Sequence, residues 1–265
     1  MARPELTLVL GLGESGLAMA RWLARQGVAL RVADSRETPP GVERLRAEAT
    51  TAEIVTGPFA DSLLDGVVRL AISPGLDPRQ PLVEAARARG IPVIGEMDLF
   101  AQALADLGVR DTTRLIAITG TNGKTTTTTL VGEMLRGVGL DGVVAGNISP
   151  ATLDVVMARQ DAGEPMPQAW ALELSSFQLE TGPALGAASA TVLNVTDDHL
   201  DRYAGLDDYA ATKAAVFAGE GVQVLNRDDA RVLAMALPGR RVFTFGLDAP
   251  AGPDDFGVLD VDGDE

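Results

Sequence analysis

One stretch, TGTNGKTTT from Thr119 to Thr127, constrains this chain more than any other. Arg114-Leu115-Ile116-Ala117-Ile118 precedes it as a short run of buried-strand type, and Leu130, Val131, Met134 and Leu135 follow it at helical spacing. Strand, glycine-rich loop and helix make a phosphate cradle, in which glycines let backbone N–H groups crowd round an anion and the helix N-terminus adds partial positive charge. Lys124 supplies a full charge and Thr125 a hydroxyl suited to Mg2+, so Gly120, Thr121, Asn122, Gly123, Lys124, Thr125 and Thr126 are expected to hold a nucleoside triphosphate and its metal. The strict Walker pattern wants a glycine five residues before Gly123, where Ile118 stands, so the loop is a variant. Five threonines, Thr125 to Thr129, open the helix. β-Branched residues lose side-chain freedom there, so these hydroxyls are expected to have partners.

A second loop opens the chain. Leu6 to Leu10 reads as a strand, and Gly11-Leu12-Gly13-Glu14-Ser15-Gly16 follows as G-x-G-x-x-G. A helix comes next, with Leu17, Ala20 and Ala24 on one face, and Gly27 ends it. Leu30 to Ala33 forms a second strand closing on Asp34. This is the opening of a Rossmann-like domain, and its literal reading is NAD binding, although any pyrophosphate ligand profits from the same loop. A strand at Val67–Ile72 stops at Ser73-Pro74-Gly75, Gln80–Arg89 reads as a helix and Ile91–Ile94 as a short strand. The expected class is α/β in two domains, a Rossmann-like domain over 1–95 and a P-loop-type mononucleotide-binding domain over 96–265 entered through a linking helix, Glu96–Leu107.

In the second domain Ala169–Leu174, Ala190–Val195, Val222–Leu225 and Val242–Phe245 are strand candidates, and Asp207–Glu220 is helical. Three polar clusters stand at strand ends: the phosphate loop, Glu173-Leu174-Ser175-Ser176, and Asn194-Val195-Thr196-Asp197-Asp198-His199. Ligands of open α/β sheets gather at such ends, which argues for one site. From Ala249 the chain turns to Pro, Gly and Asp, with no closing helix, so the second domain is expected to be incomplete and the chain a fragment. The net charge of −15 argues against nucleic acid and anionic membrane, but not against a phosphorylated substrate met by a local positive site. Without cysteine there are no disulfides, zinc thiolates or thiol nucleophiles. No leader or spanning run is visible, and a cytoplasmic protein is expected.

Individual side chains keep two readings. Glu173 is either a second ligand to Mg2+ or a solvated strand-end acid. His199, the single histidine, lies among Asp197, Asp198 and Asp201, which suits a metal or substrate role as well as a structural one. Lys213 falls between Tyr209 and Phe217 on the apolar stripe of its helix, beside Val216. It is either a snorkelling lysine or one held at the site with a lowered pKa and open to chemical modification. Asp34, Ser35 and Arg36 offer an acceptor, a hydroxyl and a cation past the second strand, or simply a capped turn. Ser73, Pro74 and Gly75 either present backbone N–H groups to an anion or merely break a strand.

Taken together, the motifs resemble the Mur ligases, a family that shares its loop type with the folylpolyglutamate synthases. GTNGKT with Ile118 in the Walker position, ELSSFQLE (Glu173–Glu180), NVTDDHLDRY (Asn194–Tyr203), GNI (Gly146–Ile148), LGLGESG and the SPG turn carry the resemblance from about Leu8 to Phe245. It implies a three-domain ligase that uses ATP to phosphorylate a substrate carboxylate, after which an amine attacks the acyl phosphate. ELSSFQLE with the SPG turn points to the branch joining D-glutamate to UDP-N-acetylmuramoyl-L-alanine in peptidoglycan precursor synthesis, by a monomer, rather than to a branch adding another amino acid. The resemblance assigns catalysis to Lys124, Glu173, His199 and Lys213. It places one Mg2+ on Thr125 and Glu173, and a second on His199 with Lys213, the lysine this family carbamylates. Asn147, Ser175 and His199 would line the path of the muramoyl-alanine end. Glu14, Ser15, Asp34, Ser35, Arg36, Ser73, Pro74 and Gly75 would hold the UDP moiety in place of NAD. The adenine contacts and the D-glutamate site of the family have no counterpart before Glu265, so the third domain is expected to be absent, ATP binding weak and the chain alone inactive. An NAD-dependent oxidoreductase and a non-enzymatic nucleotide sensor are the readings from other classes, and the first leaves the second domain unexplained.

Overall fold

Each glycine-rich loop leaves an interior strand of its own parallel sheet. The computed structural model describes residues 5–182, 185–199 and 201–259. In chain order the elements are β1 Leu6–Leu10, α1 Glu14–Arg25, β2 Ala29–Asp34, α2 Val42–Glu48, β3 Glu53–Thr56, β4 Val67–Ile72, α3 Pro81–Ala88, β5 Val93–Ile94, α4 Glu96–Asp106, β6 Arg114–Thr119, α5 Lys124–Gly137 and β7 Gly142–Gly146. After these come α6 Thr152–Ala162, β8 Ala169–Glu173, α7 Ser176–Thr181, β9 Ser189–Val192, α8 Leu206–Ala214, β10 Val222–Asn226, α9 Ala230–Leu233, β11 Val242–Phe245 and β12 Asp255–Phe256. The first compact unit runs up to Arg110 and takes in Ser149–Met166; the second holds Asp111–Ile148, Pro167–Leu179 and the described residues from Leu185 onward. Both α4 and α6 therefore belong to the first unit. Among the described residues no helix is long and apolar enough to cross a membrane.

The first sheet has the order β3-β2-β1-β4-β5, with all its pairs parallel. Strands covered on both faces need continuous apolar runs, and Leu8, Val9, Leu10, Leu70, Ala71 and Ile72 are fully buried. The strand order reverses between β1 and β4, so the switch point lies beside the G-x-G-x-x-G loop. The second sheet, β12-β11-β10-β9-β6-β8-β7, is also parallel throughout. β6 lies between β8 and β9, which brings the carboxyl ends of all three together.

Several expectations change in detail. The buried side of α1 is Gly16, Ala18, Met19, Ala20, Trp22 and Leu23, whereas Leu17 and Ala24 are only half-buried. The phosphate-loop helix α5 does not bury Leu130 and Met134, which are 56% and 69% exposed. It faces the sheet through Thr128 and Gly132, since a Cβ on Gly132 would lie 2.4 Å from Val144 Cγ2. The helix expected over Asp207–Glu220 stops at Ala214 and tightens into a 3-10 turn, Ala215–Phe217. The strand expected over Ala190–Val195 ends at Val192. The polar run after Ala249 holds a short strand, β12, beside β11; its last residues, 260–265, lie outside the described residues.

The first loop depends on a close approach of backbone to backbone. Gly11 turns out of β1 at φ +85°, and a Cβ on Gly16 would lie 1.8 Å from the Gly11 carbonyl oxygen. That atom belongs to the backbone and cannot step aside. Gly16→Ala is therefore expected to destabilise the first unit by about 2 kcal/mol or more, read as a lower urea midpoint at unchanged slope.

Candidate functional site

In the first unit, Glu14, Ser15, Asp34, Ser35, Arg36, Ser73, Pro74 and Gly75 line one cavity of about 460 Å³, together with Gly11, Gly13 and Leu76. The topology collects them: Gly11 follows β1, Asp34 ends β2 and Ser73 follows β4. Asp34 is 3% exposed, and its carboxylate takes the Leu12 N–H at 2.6 Å, the Arg36 N–H at 2.9 Å and the Arg36 guanidinium at 2.8 and 2.6 Å. Burial alone would raise this carboxyl, but the Arg36 guanidinium and the two backbone donors outweigh it and hold it at about 2. Asp34 thus fixes the floor of the loop and aims Arg36, whose side chain is half exposed. The Ser73 hydroxyl donates to the Gly11 carbonyl at 3.3 Å, and the Ser149 hydroxyl donates to the Glu14 carboxylate.

In the second unit the phosphate loop is held by a residue to which the motifs assign no role. Asn194, just past β9, accepts from the Thr121 and Asn122 N–H groups through Oδ1 at 3.1 and 2.8 Å and donates to the Asn122 carbonyl at 3.1 Å. The polar cluster at that strand end points to the neighbourhood but not to this side chain. Gly120, at φ +151°, and Gly123, at φ +82°, shape the loop; a Cβ on Gly120 would meet the Leu193 and Asn194 backbone at 3.2–3.3 Å. The N–H groups of Gly123, Lys124, Thr125 and Thr126 are the orphan donors of the helix N-terminus, the first intrahelical bond being Thr127 N–H to the Gly123 carbonyl. Lys124 Nζ folds back over the loop onto the Gly120 and Thr121 carbonyls at 3.0 and 2.8 Å. Two of the five threonine hydroxyls bond the carbonyl four residues earlier, Thr128 to Lys124 and Thr129 to Thr125. Thr125 instead donates across to Glu173 Oε2 at 2.8 Å.

Glu173, the last residue of β8, is 2% exposed. Its side-chain partners among the described residues are two neutral donors, the Thr125 hydroxyl on Oε2 and the Asn147 amide on Oε1 at 2.7 Å. A buried carboxylate met only by neutral groups invites a cation. The donor set fits Mg2+: two cis ligands of an octahedral Mg2+ lie ~2.9 Å apart, close to the Thr125–Glu173 separation.

Lys213 is 1% exposed, and its Nζ donates to the Gly120 carbonyl at 2.9 Å, the oxygen that Lys124 also uses. It lies 4.3 Å from the centre of the Tyr209 ring. Burial, with Lys124 adding to it and Asp198 opposing, lowers the amine from 10.5 to about 7. Snorkelling is excluded, because the nitrogen ends under the loop instead of in water. His199 stands in an aromatic group, 4.8 Å from the Phe177 ring and 6.4 Å from Tyr209, with φ +52° and Nε2 3.5 Å from Asp198. Of the three nearby aspartates, this is the one paired with it. Among the described residues no three His, Cys, Asp or Glu side chains gather round a common point. Ser175 caps α7: its N–H and hydroxyl meet Gln178 Oε1 at 3.0 and 3.2 Å, and the Gln178 N–H returns to Ser175 Oγ at 3.2 Å.

Comparison with known proteins matches the two parts of the chain separately. The family model of the Mur ligase MurD-like N-terminal domain matches residues 5–95, and that of the Mur ligase middle domain matches 118–262. A UDP-N-acetylmuramoylalanine--D-glutamate ligase of Aromatoleum aromaticum is 65% identical over 256 residues, covering 97% of this chain and 55% of the relative. A ligase of the same name from Nitrosospira multiformis is 53% identical over 259 residues, covering 97% and 54%. The chain spans about half the length of these curated relatives. Among solved structures, the UDP-N-acetylmuramate:L-alanyl-gamma-D-glutamyl-meso-diaminopimelate ligase of Neisseria meningitides superposes with a TM-score of 0.60 at 20% identity, over 92% of this chain and 78% of that one. The UDP-N-acetylmuramate-alanine ligase MurC of Thermotoga maritima gives 0.53 at 19% identity, over 93% and 53%. At these identities the likeness concerns the fold.

The buried amine has a consequence for stability. Folding holds Lys213 near 7 while the unfolded chain leaves it near 10.5, so between those values the unfolded state binds more protons and stability rises with pH. Lys213→Met removes that cost. The variant is expected to be more stable than the parent at pH 7, with the difference closing as pH approaches 10.5, measured by urea unfolding across that range.

Proposed function

The chain belongs to the Mur ligase family, and on that premise we propose that the protein it represents is an ATP-dependent ligase joining D-glutamate to UDP-N-acetylmuramoyl-L-alanine. The observation that carries the reading is the placement of Glu173: a buried carboxylate, 2.8 Å from the phosphate-loop threonine and held, among the described residues, by neutral donors. The names borne by the relatives, of which this chain spans about half, supply the substrates.

In this reading the orphan N–H groups at the start of α5 and the Lys124 ammonium receive the β- and γ-phosphates, and Lys124 leaves the Gly120 and Thr121 carbonyls to do so. Thr125 and Glu173 would hold Mg2+, which would supply positive charge to offset the charge on the transferring γ-phosphoryl group. The substrate carboxylate attacks the γ-phosphorus, the bond to the bridging oxygen breaks, and ADP leaves with that electron pair. The amine of D-glutamate then attacks the acyl carbon and phosphate departs, leaving the amide. The cavity at the β1/β4 switch point receives the uridine diphosphate end, with the Arg36 guanidinium, aimed by Asp34, as its cation.

Lys213 enters as a neutral amine. At about 7 a large fraction is unprotonated near neutral pH, and only that form attacks CO2, forming a carbamate and releasing a proton. Carbamylation turns that neutral amine under the loop into an anion, the kind of donor a second Mg2+ would require. His199, whose Nε2 lies 3.5 Å from Asp198, would be the other donor to that ion.

The test uses the full-length protein. ADP release is expected only when ATP, UDP-N-acetylmuramoyl-L-alanine and D-glutamate are all supplied, and replacing D-glutamate by L-alanine or a diamino acid should abolish it. Lys213→Ala is expected to lower the rate at least ~100-fold, with partial return on adding a short carboxylic acid. ADP release that ignores the amino acid, or a fully active Lys213→Ala enzyme, would sink the proposal.

A further inference from the structure

The family resemblance puts Asn147 on the path of the substrate, yet its amide is already engaged. It follows β7, whose last residue, Gly146, pairs with Glu173 in the parallel register. The Asn147 N–H donates to the Glu173 carbonyl at 2.8 Å, and Nδ2 donates to Glu173 Oε1 at 2.7 Å. One residue thus grips both the backbone and the side chain of Glu173. The turn that allows this is specific: Gly146 sits at φ +112°, and a Cβ there would lie 2.3 Å from the Glu173 carbonyl oxygen.

The two hydrogen bonds on the Glu173 carboxylate differ in what a cation does to them. A hydroxyl that ligates a cation offers it a lone pair and turns its hydrogen away. With Mg2+ on Thr125 and Glu173, the Thr125 hydroxyl can no longer donate to Oε2. The Asn147 amide bonds Oε1, the other oxygen, and is untouched by this change. It would then be the hydrogen bond that fixes the plane of the carboxylate and leaves Oε2 as the oxygen open to a metal. We propose that Asn147 is a positioning residue for Glu173, setting the affinity of the phosphate-loop metal site through the Oε1 hydrogen bond. The inference rests on the metal reading of Thr125 and Glu173 given above. It leaves Asn147 Oδ1 available to a substrate while committing Nδ2 to the metal site.

The experiment is a titration of the protein with Mn2+ in the presence of a non-hydrolysable ATP analogue, followed by the EPR signal of free Mn2+. It is run on the parent, Glu173→Gln, Asn147→Ala and Asn147→Gln, with analogue affinity measured separately in metal-free buffer. Glu173→Gln is expected to lose the protein-dependent part of Mn2+ binding. Asn147→Ala should weaken it about 10–100-fold, as loss of an outer-sphere partner does, with analogue affinity in metal-free buffer unchanged. Asn147→Gln, which keeps an amide donor on a longer stem, should recover part of the loss. Asn147 is exposed, so the substitutions spare the core, and circular dichroism verifies the fold. If Glu173→Gln loses Mn2+ while Asn147→Ala binds it like the parent, the positioning role is overturned and the metal reading stands. If metal-free analogue affinity falls by the same factor in Asn147→Ala, or Asn147→Gln recovers nothing, Asn147 merely shapes the loop and the proposal is overturned. If Glu173→Gln binds Mn2+ like the parent, the metal reading itself fails and the inference with it.

Discussion

The arrangement of the second unit depends on keeping one carboxylate dry. Glu173 ends a fully buried strand and is met by a threonine hydroxyl and an asparagine amide. Buried carboxylates are commonly paired with a cation, and this pairing is what the proposed metal reading supplies. Neighbouring features answer to that need. β6 lies beside β8, so the first turn of α5 starts next to Glu173, and Thr125 is the residue that faces it. Gly132 lets α5 lie close enough to β7 for the contact, at the expense of leaving Leu130 and Met134 in solvent.

A second strained charge lies under the same loop. Lys124 and Lys213 share the Gly120 carbonyl, two ammonium groups on one oxygen. Such an arrangement is tolerable while one of them is neutral, and burial favours the neutral form of Lys213. In the proposed reading, a phosphate would draw Lys124 away from that carbonyl and a divalent ion would meet Glu173.

Much of this is legible in the sequence because glycine spacing and strand–helix alternation are local signals. Both loops, the strands before them, Asp34, Glu173 and the apolar-stripe position of Lys213 can be read from short stretches. The parts that escape such reading depend on distant partners. β7 is rich in glycine and valine, and its pairing with β8 defines it. The face that α5 buries is set by Val144, which no helical periodicity reveals. Asn194 clamps the phosphate loop from more than 70 residues away, and Ser175 spends its hydroxyl on a helix cap that Gln178 completes. His199 stands in an acidic stretch of sequence, yet its surroundings are mainly aromatic, because Phe177 and Tyr209 come from other elements.

The central claim is that Thr125 and Glu173 together hold the metal of a phosphate-loop nucleotide. Anomalous diffraction from crystals of this protein grown with Mn2+ and a non-hydrolysable ATP analogue tests it most directly. A manganese peak is expected within ~2.2 Å of both Thr125 Oγ1 and Glu173 Oε2, with Lys124 Nζ moved from the loop carbonyls to the phosphates. A nucleotide bound on the loop with its manganese away from Glu173, and Glu173 still hydrogen-bonded to Thr125, would contradict it.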